Sequence, residues 1–296
     1  LFGTGGMYNS QSSMGISNAS NSTLTWEKVG SFNAGVTFGF LDRVVLNVDA
    51  YRRKTSDMLM SIPFSYTTGF GGGMGNIGAM VNKGFDADVN VKLVKSNDID
   101  WTFKANVNYN KNEITELFAG RDEYIIANTG LKLEVGKPYG EFYYVEYAGV
   151  DPRDGKAMYY DLDGNKTKYW SDQYATWLDK SYLADWSGGF GTSLMWGNLQ
   201  VVADFSWIGE RWMMINEMRY THCPEGAAPG ILHFATEMKN IWMNPGDETN
   251  IPRADTPFQE WSDRYYSNAA FLRLKNVTVS YTIPGNVFGH NSFVQG

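Results

Sequence analysis

The chain has 296 residues, 43% of them hydrophobic and 15% aromatic, with 10 Trp, 18 Tyr, 17 Phe and 32 Gly. A net charge of −7 excludes the basic face a nucleic-acid binder needs, and a single cysteine, Cys223, excludes an internal disulfide. No apolar run is long enough for a transmembrane helix, which takes about 18 residues or more, but a membrane barrel needs only strands of about 9–11 residues with one apolar face.

The first 24 residues, rich in Ser, Asn, Gly and Thr, read as loop. From 31 to 40 the pattern has a period of two. Phe32, Ala34, Val36, Phe38 and Phe40 share one face, and Asn33, Gly35, Thr37 and Gly39 share the other. After a short turn at 41–43, Val44, Leu46, Val48 and Ala50 form the apolar face of a second strand running towards Leu59. A Gly-rich loop follows over 61–82. The third strand sets Phe85, Ala87, Val89, Val91 and Leu93 against Asp86, Asp88, Asn90 and Lys92. A turn at 95–100 leads to the fourth, with Trp101, Phe103, Ala105, Val107 and Tyr109 opposite Thr102, Lys104, Asn106, Asn108 and Asn110.

A loop over 111–140 precedes a hairpin, 142–150 with 156–161, turned by Asp151-Pro152-Arg153-Asp154-Gly155. The loop over 162–186 carries Trp170 and Trp177. Gly197-Asn198 then joins a strand with Phe190, Thr192, Leu194 and Trp196 to one with Leu199, Val201, Ala203, Phe205 and Trp207. An excursion of roughly sixty residues, 209–268, is of a length that is often functional. In the last strand, 269–282, Leu272 and Leu274 fall out of phase with Val277, Val279 and Tyr281, which predicts a bulge near Asn276.

Nine strands are thus expected, and short turns (41–43, 95–100, 151–155, 197–198) alternate with long loops (61–82, 111–140, 162–186, 209–268). Alternation by itself allows a sandwich or a barrel. The alternating connections favour an all-β fold, a fragment of a large antiparallel transmembrane β-barrel with short periplasmic turns and long extracellular loops. Phe40, Trp101, Tyr109, Trp196, Trp207 and Tyr281, near expected strand ends, read as interfacial girdle residues. Nothing resembling a signal peptide is visible, and both ends, Leu1 and the strand-like Ser292-Phe293-Val294-Gln295-Gly296, are read as truncations.

The chemical motifs are weak. Gly73-Met74-Gly75-Asn76-Ile77-Gly78 matches G-x-G-x-x-G without the strand and helix that a dinucleotide site requires. Asp161-Leu162-Asp163-Gly164-Asn165 lacks an EF-hand's third ligand and terminal Glu, and reads as a tight turn. His222-Cys223 and His233 fall short of a zinc ligand set. Asp86 and Asp88 fit a solvated face better than a glycosidase pair. No catalytic residue, metal or cofactor is expected. Trp170, Trp177, Trp212, Trp242 and Trp261 lie in expected extracellular loops, where flat rings stack on sugars or pack the loops; they are the candidate ligand contacts.

Several segments resemble one family. Leu24-Thr25-Trp26-Glu27-Lys28 precedes a strand followed by Asp49-Ala50-Tyr51-Arg52-Arg53-Lys54-Thr55-Ser56-Asp57-Met58-Leu59. Asn76-Ile77-Gly78 leads to Asn82-Lys83-Gly84-Phe85-Asp86. Gly136-Lys137-Pro138-Tyr139-Gly140-Glu141-Phe142-Tyr143, Tyr147-Ala148-Gly149-Val150-Asp151-Pro152, Trp186-Ser187-Gly188-Gly189-Phe190-Gly191-Thr192, Ser262-Asp263-Arg264 and Phe271-Leu272-Arg273-Leu274-Lys275-Asn276-Val277-Thr278 follow in order. Together they resemble the SusC/RagA family of TonB-dependent transporters of Bacteroidota. The resemblance implies a 22-stranded outer-membrane barrel, with residues 1–296 part of its C-terminal barrel domain and the plug domain and final strands absent. It also implies a SusD-like surface lipoprotein as partner, TonB acting through the absent N-terminal part, and dimers of transporter–lipoprotein pairs. The activity implied is import of a large nutrient, an oligosaccharide or a peptide, and not enzymatic. A non-transporting structural or adhesive barrel and a soluble carbohydrate-binding sandwich are the rival readings.

Overall fold

A computed structural model describes residues 2–8, 11–16, 21–64, 66–70, 72–76, 78–126, 130–222, 234–255 and 261–284. Seven long strands dominate: β1 (Lys28–Phe40), β2 (Val44–Ser56), β3 (Ala79–Lys95), β4 (Ile99–Glu116), β5 (Trp186–Trp196), β6 (Leu199–Ile208) and β7 (Phe271–Tyr281). The chain divides into two compact units, residues 1–93, 104–124 and 133–139 forming the first and 94–103, 125–132 and 140–296 the second.

In the first unit β1, β2, β3 and most of β4 lie in that order. The register explains the alternation. Phe38, Leu46 and Val89 form one cross-strand row, Val36, Val48 and Ala87 the next, and Ala34, Ala50 and Phe85 a third. One pleated face is therefore apolar; along β1 it is exposed, with Phe32, Val36 and Phe38 at 71%, 49% and 58%, while Leu46, Val48, Phe85, Ala87 and Val89 on β2 and β3 are half-buried. Uncovered apolar surface on this scale marks an interaction surface. The opposite face is a ladder of polar bonds. Thr37 Oγ1 donates to Asn47 Oδ1 at 2.7 Å, Asn47 Nδ2 to Asp88 Oδ2 at 2.8 Å, and Asn108 Nδ2 to Asp86 Oδ1 at 2.6 Å. Each of the two aspartates is thus held by an asparagine, as expected for a wetted face.

Family-like segments at one end of this unit interlock. Asn76 Oδ1 accepts from Thr25 N at 2.7 Å while its Nδ2 donates to Thr25 O and Asp57 O. Leu59 N donates to Glu27 Oε1 at 2.7 Å. Gly84 lies beneath Tyr51, whose hydroxyl would stand 2.8 Å from an added Cβ, with Tyr109 O closer still.

In the second unit the first residues of β4, then β5, β6 and β7, continue the same pattern. Trp101 Nε1 donates to Thr192 Oγ1 at 2.7 Å, and Phe190 stacks on Phe205 at 4.8 Å. Asp204 pairs with Asn276 but Phe205 with Leu274, so Lys275 is the extra residue of a bulge. That bulge returns Leu272, Leu274, Val277, Val279 and Tyr281 to one side, all exposed.

Four expectations need correction. Residues 2–8 and 11–16 form a hairpin, not loop. The Gly-rich segment holds another, Leu59–Pro63 with Gly72–Asn76, because extended Gly residues pair through their backbone where no side chain signals it. The segment 142–161 adds no long strands. The expected hairpin about the 151–155 turn does form, Tyr147–Val150 with Ala157–Tyr160, but it is short and lies in a small sheet in which Ala157–Tyr160 also pairs with Lys166–Thr167, while Glu141–Tyr144 pairs with Thr176–Ser181. Among the described residues seven long strands therefore replace nine, and 117–185 is one excursion between β4 and β5 that contains the Asp151 turn. Finally, Tyr109 lies inside β4 with its ring 5.8 Å from Phe85, not near a strand end. Among the described residues no helix is long and apolar enough to cross a membrane, which says nothing of strands.

Candidate functional site

The excursions of the second unit fold around a small core of their own. Val145, Ala157 and Tyr159 are buried, with Trp170, Tyr174 and Ala175 packed against them. Asp263 ties this core together: Tyr147 N donates to its Oδ1 at 2.8 Å, Lys180 Nζ lies 2.9 Å from its Oδ2, and its own amide donates to Val145 O. Ser262-Asp263-Arg264 is thus a fastening between distant loops.

A second fastening holds the turn at Asp151. Its carboxylate accepts from Arg153 N, Nε and Nη2 and pairs with Lys168 Nζ at 2.6 Å. The Arg153 guanidinium and the Lys168 ammonium hold the Asp151 carboxyl well below the usual carboxylate range. Gly155 closes the turn at φ +72°, with the Trp242 ring so near that an added Cβ would meet it at 2.4 Å. Trp242 Nε1 donates to Pro152 O at 3.1 Å. The Asp161 segment is likewise a tight turn, Asp161 Oδ1 accepting from Asp163 N and Asn165 N.

Against this core lies a cavity of about 370 Å³, lined by Ile125, Tyr143, Tyr144, Trp170, Asp172 and Trp261 among others. Trp170 Nε1 donates to Trp261 O at 2.9 Å, fixing one indole against the other residue's backbone. Trp261 meets Tyr265 edge-on at 6.4 Å, and the Arg219 guanidinium sits 3.8 Å from its ring centre. The strand Glu141–Tyr144 supplies the tyrosines; burial pushes the Tyr144 hydroxyl up to about 12, Arg219 opposing, so it stays a neutral donor. Ser171 caps the short 3₁₀ turn Asp172–Tyr174 by accepting from Gln173 N, which leaves Asp172 exposed at the cavity.

Of the five tryptophans singled out by sequence, Trp170 and Trp261 meet at this cavity. Trp177 packs edge-on against Tyr143 at 5.3 Å. Trp212 lies beside Lys180, whose ammonium is 4.9 Å from its ring, and Trp242 is buried on the Asp151 turn. Tyr143, Tyr144, Ile125 and Asp172 were not singled out; Tyr143 alone lay in a family-like segment.

A second cavity of about 730 Å³ is more polar, with His222, Glu237, Asp247 and Arg264 in its lining. His222 Nε2 lies 4.0 Å from Glu237 Oε2, and burial, with Arg264 nearby, lowers its pKa. Cys223 and His233 lie outside the described residues. Among the described residues no three His, Cys, Asp or Glu side chains cluster as a metal site would need.

Residues 2–221 match the family TonB dependent receptor-like, beta-barrel. The chain is similar to the TonB-dependent receptor SusC of Bacteroides thetaiotaomicron, with 30% identity over 280 residues that cover 89% of this chain and 27% of SusC. TonB-dependent receptor P3 of Formosa agariphila is 26% identical over 299 residues, covering 93% of this chain and 29% of P3. Among solved structures, that of the RagAB peptide transporter superposes with a TM-score of 0.86 at 35% identity, covering 99% of this chain and 33% of the matched one. The chain therefore spans about a third or less of the length of these relatives.

Proposed function

Because this chain belongs to the TonB-dependent receptor β-barrel family, with SusC- and RagA-like relatives, we propose that it serves TonB-dependent import of an oligosaccharide across the bacterial outer membrane. Residues 1–296 then form part of a C-terminal barrel domain, with the plug carried by another part of the polypeptide. The family is one of receptors and transporters. On this reading the exposed apolar rows face lipid, the polar ladder faces the lumen, and the excursions after β4 and β6 lie outside the cell. A SusD-like lipoprotein covers them, and transporter–lipoprotein pairs dimerise.

The observation that carries the choice of ligand is the aromatic cavity. Flat indole rings offer their faces to the apolar side of a pyranose, and the neutral Tyr144 hydroxyl and the Asp172 carboxylate suit its hydroxyl groups. Small-molecule sites share this composition, mostly apolar with a few polar groups. A second reading, peptide import, is favoured by the similarity to the RagAB peptide transporter. Deleting the full-length gene is expected to abolish growth on one polymer. Trp170→Ala with Trp261→Ala in the intact gene is expected to slow growth on that polymer and spare growth on its monomer. Normal growth of the deletion strain on every candidate polysaccharide, with loss of growth on protein or peptides, would overturn the oligosaccharide reading in favour of the second.

A further inference from the structure

The cavity's lining has an uneven chemistry. Among the described residues, four aromatic side chains of the lining, Tyr143, Tyr144, Trp170 and Trp261, meet one formal charge, that of Asp172, and no lysine or arginine lines the cavity. Among the described residues nothing bonds or pairs with the Asp172 carboxylate, and Asp172 is exposed. Aromatic faces carry negative charge density, so rings grouped round a carboxylate favour a cation and disfavour an anion.

The surrounding loops already use this pairing. The Lys132 ammonium lies 4.8 Å from the Tyr143 ring centre and 5.5 Å from that of Trp177. Lys180 lies over Trp212, and Arg219 over Trp261. Lys132 and Arg219 touch cavity rings without lining the cavity. Their charges oppose a further cation, so the net preference is modest, on the order of tenfold rather than a hundredfold.

We propose that the cavity selects an amino-sugar unit of the oligosaccharide, its ammonium directed to Asp172 and its ring laid against Trp170 and Trp261. This rests on the reading of the cavity as an oligosaccharide subsite. A pyranose bearing an amine joins the two features on the page: a flat apolar face for the indoles and a positive charge for the lone carboxylate. An acidic sugar would set like charges together, and an N-acetylated sugar would keep the stacking and lose the charge.

The test uses the full-length transporter purified with its lipoprotein, and equilibrium binding of three probes: a glucosamine tetrasaccharide, its N-acetylated counterpart and a lysine-rich peptide. The expected result is binding of the glucosamine oligomer about tenfold tighter than that of the acetylated one. The preference should vanish in Asp172→Asn and weaken as salt is raised. Asp172 is exposed, so this variant leaves the core intact. Equal binding of both oligosaccharides, with Asp172→Asn silent, would overturn the ammonium preference and leave the oligosaccharide reading standing. Binding of the peptide alone, lost in Asp172→Asn, would overturn the amino-sugar assignment together with the oligosaccharide reading. Binding of none of the three would overturn the amino-sugar assignment, and a neutral glucan bound in a Trp170-dependent way would then show that the subsite reading survives it.

Discussion

The first unit and the excursions of the second bury their apolar residues in opposite ways. In β1 the large apolar side chains are exposed, Phe32 at 71%, while asparagines and aspartates bond to one another on the other face of the sheet. In the excursions Val145 and Tyr265 are 1% exposed, and the charged groups fasten loops from the edges of a small core. One chain thus carries a lattice of cross-strand rows that needs an apolar surrounding, and loops packed as a water-soluble protein packs. On the proposed reading, exposure of a phenylalanine means different things in the two regions: a lipid contact in a periodic strand, and a defect or a ligand contact in a loop.

The comparison can be broken most severely at Tyr265. Replacing it by Ala removes a fully buried ring from the loop core and is expected to cost about 3–5 kcal/mol there. Limited proteolysis should cut the excursions while the full-length protein keeps its heat-modifiable gel mobility, since local units open separately. Loss of the barrel mobility itself would mean that the two regions are not energetically distinct.

Next in size is Val36→Arg on the outward face of β1, expected to cost about 2–4 kcal/mol if that face lies deep in a bilayer. Leu162→Arg, at an equally outward loop position that is 69% exposed, should cost within about 0.5 kcal/mol. Denaturant titration of full-length protein refolded into vesicles measures both. Equal costs would erase the distinction between the regions.

Gly155→Ala is expected to destabilise the Asp151 turn by about 1–3 kcal/mol, since the left-handed backbone and the Trp242 ring both oppose a Cβ. Gly69 also has a positive φ, +76°, but among the described residues nothing lies within 4 Å of an added Cβ; Gly69→Ala should show the smaller effect of strain alone. Amide exchange at the two turns separates the terms.

The smallest effect concerns acid. The depressed pKa of Asp151 means that its fastening is fully present above the unfolded carboxyl value, about 3.9. It is lost only as pH falls below that value and through the lower folded one. Protection of the Arg153 amide, which donates to Asp151 Oδ1, should therefore be level from neutral pH to about 5 and fall in stronger acid. Asp151→Asn should remove the dependence.

The wall was readable from residue order because a strand with one wet face repeats every second residue, and register then aligns Val36, Val48 and Ala87 without further information. Even the bulge at Lys275 showed as a phase slip between Leu274 and Val277. The excursions were not readable in this way. Their strands are of two to six residues, too short for a period, and Tyr147 and Asp263 meet across 116 residues. Composition pointed to loop tryptophans but could not say that Trp170 and Trp261 would meet and that Trp242 would be buried. Asp172 carried no signal, because an aspartate beside a Ser-capped turn looks the same whether or not it borders a cavity.

The central claim, on the proposed reading, is that the apolar rows of β1 to β3 face lipid and the polar ladder does not. It is tested most directly by spin labels placed singly at Val36, Val48, Thr37 and Asn47 in the full-length protein with Cys223 replaced by Ser, reconstituted in bilayers. Labels at Val36 and Val48 should collide readily with oxygen, which concentrates in lipid, and those at Thr37 and Asn47 with a water-soluble nickel chelate. The same preference at all four positions, or the reverse pattern, would contradict it.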